Sequence, residues 1–110
     1  MAALGVPEQN KGDKEMNGIT FITESIGLVC QYIREYHKND KDFNFDGENV
    51  YVVWSCKTLK NNKALLATNL KDDEYYEVTY NGETKEFYLD VYQKVANCVC
   101  HPEKGENENV

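Results

Sequence analysis

Three strong metal donors fall within four residues near the C-terminus, in the run Cys98-Val99-Cys100-His101. Thiolates and imidazole are the ligands Zn²⁺ prefers, and donors so close in sequence lose little entropy on assembling a site. Cys56, Cys30, His37 or a second chain would supply the fourth ligand, and with Cys56 the set reads Cys98, Cys100, His101, Cys56. C-x-C-H is less diagnostic than paired C-x-x-C knuckles. The competing reading makes Cys30, Cys56 and Cys98 small core residues, with Cys100 and His101 at a fraying end. All four cysteines read as reduced thiols, since no stretch near the start has the pattern of a secretory signal.

A second pattern, Asp42-Phe43-Asn44-Phe45-Asp46-Gly47, matches the opening half of a calcium loop, D-x-[DN]-x-[DN]-G. Its twelfth position falls on Val53, where a bidentate Glu is needed, and a strand follows in place of the second helix. Asx turns account for the same residues, with Phe43 and Phe45 packing inward. Catalytic patterns are absent. Ser25, Ser55 and Cys56 sit in no motif with a base, and the chain lacks G-x-G-x-x-G, a P-loop and H-E-x-x-H. The reading is a protein that is not an enzyme.

Charge is distributed more tellingly. From Asp72 to Asp90 there are seven acids (Asp72, Asp73, Glu74, Glu77, Glu83, Glu86, Asp90) and one base, Lys85, a local charge of −6. Tyr75, Tyr76, Tyr80 and Tyr88 are interleaved with them. Such a surface repels phosphate, so direct binding of nucleic acid through it is disfavoured. It is attracted instead to a basic protein surface, and tyrosine adds rigid contact area. The partner-binding set expected on these grounds is Asp72, Asp73, Glu74, Tyr75, Glu77, Glu83 and Glu86. A plain solvated acidic face is the competing reading.

The elements that must position these groups follow from periodicity. Ile19, Ile22, Ile26, Val29, Ile33 and Tyr36 recur in steps of three and four, predicting a helix over Ile19–His37 with Asn17 as N-cap and Cys30 on the flank of its apolar stripe. Val50–Leu59 is β-branched and aromatic, and alternation sets Val50, Val52, Trp54 and Cys56 on one face. A one-residue slip would exchange Trp54 and Cys56 for Val53 and Ser55. Lys63–Leu70 predicts a second strand. Tyr75–Tyr80 and Glu83–Tyr88 predict a hairpin joined by a type I′ turn at Asn81-Gly82. Asp90 and Gln93 have capping-box spacing, predicting a short helix through Cys98 with Val91, Val95 and Cys98 inward. The expected fold class is α+β, a single domain of order α-β-β-β-β-α, an antiparallel meander with two helices packed on one face.

Length and composition agree with one domain: 110 residues, net charge −7, 41% hydrophobic residues, and eight Tyr, four Phe and one Trp for a core. No apolar run approaches the roughly 18–20 residues of a membrane span. Residues 1–17 read as a flexible extension, 18–100 as the compact domain and 101–110 as a polar tail.

The block VYVVWSCKTLKNNKALLATNL, followed by YYEVTYNGETKEFYLDVYQKV, resembles an uncharacterised family of small proteins from phages and prophages of Gram-positive bacteria. The likeness covers roughly Ile19–Val99. It carries no catalytic residues to transfer, and the reading of the Cys98–His101 cluster rests on the residues themselves and not on the resemblance. What the resemblance implies is a setting in the cytoplasm of a bacterial host, where small acidic phage proteins of anti-CRISPR type occupy basic surfaces of a Cas nuclease. The expected function is accordingly a non-enzymatic inhibitor of a host defence nuclease such as a Cas9-type effector, monomeric or homodimeric. The expected alternative is a small zinc-stabilised structural or regulatory phage protein.

Overall fold

The structure, a computed structural model, describes residues 16–103. Most of the expected extension (1–17) and of the expected tail (101–110) lies outside the described residues. One helix, α1 (Gly18–Tyr36), is followed by a 3-10 turn (Gly47–Asn49) and four strands: β1 (Val50–Thr58), β2 (Asn61–Thr68), β3 (Glu74–Asn81) and β4 (Glu86–Gln93). The strands pair antiparallel in the order β1-β2-β3-β4, so β1 and β4 are the edges of the meander. The α+β class and the single meander are as expected. The second helix is not: Asp90–Gln93 belongs to β4, and no regular element follows it through residue 103. Among the described residues one helix alone therefore covers the sheet.

α1 begins where its cap predicts, with the Thr20 N–H donating to Asn17 Oδ1 at 2.8 Å. Its buried residues are Phe21, Ser25, Val29, Cys30 and Ile33, whereas Ile19 and Tyr36 are exposed. The stripe is broad, and the line that meets the sheet runs one position to the side of the predicted one; Ile22 and Ile26 pack at its margin. Against it lie Ala64 and Leu66 of β2 and Tyr76, Val78 and Tyr80 of β3, with Phe87, Leu89 and Val91 of β4 partly covered. Phe21 stacks on Phe87 with centroids 6.2 Å apart. The connector folds inward as the Asx reading requires. Asp40 Oδ1 accepts from the Asp42 N–H and Asp46 Oδ1 from the Glu48 N–H, while Phe45 is buried and Phe43 stacks between it and His37.

Ser25 is fully buried at the centre of this contact, and its hydroxyl has no hydrogen-bond partner among the described residues. A buried hydroxyl left unpaired costs about 1–3 kcal/mol. Ser25→Ala is therefore expected to raise the unfolding free energy by about 1 kcal/mol, part of it from helix propensity. A urea denaturation series checks this, and a variant that loses 1 kcal/mol instead would reveal a partner for the hydroxyl.

Two turns differ from expectation, the one over Lys60–Asn62 that lies between the first two expected strands and the two-residue one at Asn81-Gly82. The two-residue turn is Leu59-Lys60, closed by the Thr58–Asn61 pair, and Leu59 sits at φ 57°. The β3–β4 connection exists, but Asn81 pairs with Glu86 across a four-residue loop, Gly82–Lys85, whose left-handed residue is Lys85 (φ 61°). The Asn81 side chain organises that loop, accepting from the Glu83 and Thr84 N–H groups at 2.8 and 3.2 Å. β1 also departs from simple alternation. Val52 pairs with Leu66 and Trp54 with Leu65, leaving Val53 as the extra residue of a β-bulge. Before the bulge Val50 and Val52 face the helix; beyond it Ser55 and Lys57 take that side, and Trp54 and Cys56 turn away from it. The expected inward placement of Trp54 and Cys56 is thus overturned by a shift of one residue inside the strand.

Candidate functional site

A single helix leaves the other face of the sheet uncovered by any described element. Register fixes what that face presents. Trp54, Leu65, Glu77 and Asp90 form one row across the four strands, and Cys56, Lys63, Thr79 and Tyr88 form the next. Tyr75 pairs with Tyr92 on the same side. Trp54, Tyr88 and Tyr92 are each close to half exposed, at 43%, 47% and 51%. Aromatic side chains in such numbers on one open face supply the contact area typical of an interface core.

The charges on this face are arranged against stability. Glu77 and Asp90 are direct cross-strand partners, and like charges directly opposite each other are destabilising. Lys63 stands 3.5 Å from Glu77 and offsets part of the repulsion, but a pair still partly in contact with water contributes only about 1 kcal/mol. Phenols hold the carboxylates in place. Tyr92 donates to Glu77 Oε1 at 3.2 Å and Tyr88 to Glu86 Oε1 at 2.7 Å. Each accepting carboxylate raises the pKa of its tyrosine, first through the hydrogen bond and then through its charge. A carboxylate has about four lone-pair sites, so Glu77 and Glu86 can each share further ones with a cationic donor, Glu77 alongside Lys63.

The expected partner-binding residues do not share one surface. Tyr75, Glu77 and Glu86 are on the open face. Asp72 and Asp73 lie in the β2–β3 turn, Glu74 faces the helix side, and Glu83 is in the β3–β4 loop at the opposite end. Tyr76 and Tyr80 are buried beneath α1. Asp90, Tyr92, Trp54 and Tyr51 were absent from the expected set. The signal that finds β4's members is the alternation of Phe87, Leu89 and Val91 with Tyr88, Asp90 and Tyr92, which continues through the residues read as a helix cap.

A family model matches residues 22–102, the greater part of the 110-residue chain. The chain belongs to DUF6275, a family of unknown function. No curated protein and no solved structure matches it. The matched span of this DUF6275 protein contains all four strands and hence the whole open face. The expectation of an uncharacterised family therefore holds.

In the DUF6275 chain the expected zinc ligands lie apart from any built site. Cys98, Cys100 and His101 are exposed in the segment after β4, Cys56 is exposed on the open face, and all four cysteines are free thiols. Among the described residues no three His, Cys, Asp or Glu side chains are gathered as a metal site, the Asp42–Gly47 loop included. No helix among them is long and apolar enough to cross a membrane.

Tyr76 of the DUF6275 protein is 1% exposed and donates to Glu74 Oε1 at 2.9 Å. Burial, then the bond to Glu74 and its charge, push its pKa well above the ordinary tyrosine value near 10. The unfolded chain then releases this proton before the folded one does. The stabilising contribution is complete below pH 10 and is lost as pH rises above it, by up to about 1.4 kcal/mol per pH unit. Urea midpoints between pH 9 and 11.5 should fall less steeply in Tyr76→Phe than in the parent. Equal slopes would mean that Tyr76 titrates alike in both states.

Proposed function

We propose that the protein is a non-enzymatic, phage-derived inhibitor of a host defence nuclease of Cas9 type, whose open sheet face docks on a basic surface that otherwise holds nucleic acid. The observation that carries this reading is the Glu77–Asp90 pair, two like charges kept side by side on an uncovered aromatic face. A cationic partner converts that repulsion into attraction, and steering by the acidic field accelerates encounter with it. Tyr75, Glu77 and Glu86 of the expected set carry the docking, together with Asp90, Tyr88 and Tyr92, while Glu83 and Asp73 border the face. The acidic balance speaks against nucleic acid as the direct ligand. The phage setting comes from the sequence resemblance, and the choice of target from the size and charge shared with anti-CRISPR proteins.

The triple variant Glu77→Lys/Glu86→Lys/Asp90→Lys tests the reading against a purified Cas9-type nuclease. Binding is expected to weaken at least about tenfold, equivalent to about 1.4 kcal/mol, with a flatter dependence on salt. Circular dichroism establishes that the variant is folded. A parent chain that does not bind, or a folded variant that binds and inhibits as well as the parent, would sink the proposal.

A further inference from the structure

On the helix side of the sheet, away from the open face, a cavity of about 270 Å³ lies between the last turn of α1, the β2–β3 turn and the end of β4. Tyr32, Tyr36, His37, Asp72, Glu74 and Tyr76 contribute to its wall. Tyr32 meets Tyr76 edge-on at 6.1 Å and stacks beside Tyr36 at 6.5 Å. The volume is just below the roughly 300–1,000 Å³ of pockets that take drug-sized ligands, so it suits one side-chain-sized group.

Three features set the sign of that group's charge. Two carboxylates, Asp72 and Glu74, contribute to the wall. Their observed hydrogen bonds come from neutral donors, the Glu74 N–H and the Tyr76 hydroxyl, which hold them in place without cancelling their charge. α1 ends at Tyr36, bringing the partial negative charge of its last carbonyls to the cavity. Tyrosine rings present negative faces and attract organic cations within about 6 Å of their centroids. An anion is repelled by all of these. A metal ion is not favoured either, since His37, Asp72 and Glu74 do not form a group able to hold one.

We propose that this cavity binds an organic cation, an alkylammonium or alkylguanidinium group, through the face of the Tyr32 ring and the Asp72 and Glu74 carboxylates, with the buried Tyr76 holding Glu74 in place. The group comes either from a lysine or arginine side chain of a partner or from a free small amine. It does not depend on the open face, which lies on the other side of the sheet.

The test is a titration followed by amide chemical shifts. The probes are N-acetyl-arginine amide, N-acetyl-lysine amide and choline, with N-acetyl-citrulline amide as the neutral counterpart of arginine. Saturable shifts are expected at Tyr32, Tyr36, Glu74 and Tyr76 with a cationic probe. Preference for the amino-acid amides identifies a protein side chain as the natural source; preference for choline identifies a small amine. The variant Asp72→Asn/Glu74→Gln keeps the acceptor oxygens and should bind about tenfold or more weakly. Tyr32→Ala, which alters a partly exposed helix position, provides a second folded variant with the same expected direction. Absence of saturable shifts with every cation, citrulline binding as well as arginine, or undiminished binding by both folded variants would each overturn the proposal.

Discussion

Truncation of Leu66 to alanine is expected to lower the unfolding free energy by about 2–5 kcal/mol. Leu66 is fully buried in the second strand, paired with Val52 on one side and Tyr76 on the other. Its removal opens a void under the helix that neighbours on three strands cannot all move to fill. A domain of this size has about 5–15 kcal/mol of stability in total, so the variant approaches its unfolding threshold at ambient temperature. Leu65 is the internal control: it is adjacent in sequence, points to the open face and is only partly buried. Leu65→Ala should cost about 1 kcal/mol, in line with its lesser burial. Urea midpoints with unchanged m-values separate the two. Equal losses would mean that the sheet is covered on its other side.

The second large effect comes from one added methyl group. Gly82 lies against the β1–β2 turn, its N–H donating to Asn61 Oδ1 at 2.9 Å. A Cβ at Gly82 would collide with the Lys60 carbonyl oxygen and come within 2.8 Å of the Lys60 carbonyl carbon, both backbone atoms. No rotamer change relieves that contact, so one of two turns must move. Gly82→Ala is expected to cost about 2–3 kcal/mol, at the upper end of ordinary overpacking. The same chemical change at Gly27 should have the opposite sign. Gly27 is in the helix with no neighbour within 4 Å of a Cβ, and alanine there gains about 0.5–1 kcal/mol in helix propensity. Thermal melts of the two variants should therefore bracket the parent. If Gly82→Ala melts with Gly27→Ala, the two turns do not touch in solution.

Much of the architecture was legible because it is written in local patterns. Asn17 and the three-and-four spacing after it locate α1, and the β-branched run from Val50 locates β1. The misread parts all depend on partners distant in sequence. Asp90 and Gln93 satisfy a helix-cap spacing, but the same residues continue a two-residue alternation, and pairing with β3 from Gln93 back to Glu86 decides between them. Asn81-Gly82 marks a reversal correctly without fixing its length, because Gly82 is held by Lys60 and Asn61, which belong to another turn. The candidate site was only half legible for the same reason. A run of acids reads as one surface, whereas a strand sends neighbouring residues such as Glu74 and Tyr75 to opposite sides. The single helix then determines which of those sides stays open.

The extra residue at Val53 also governs how copies of this chain can meet. Its strand is one rim of the sheet, and a kink there breaks the even row of amide and carbonyl groups that an incoming strand would need. The opposite rim, from Glu86 to Gln93, pairs without interruption along its inner side. Growth of the sheet from molecule to molecule requires two regular rims per copy, and among the described residues the bulge interrupts one of the two. An association confined to the uninterrupted rim would close on itself as a two-fold pair and would not run on into a fibre.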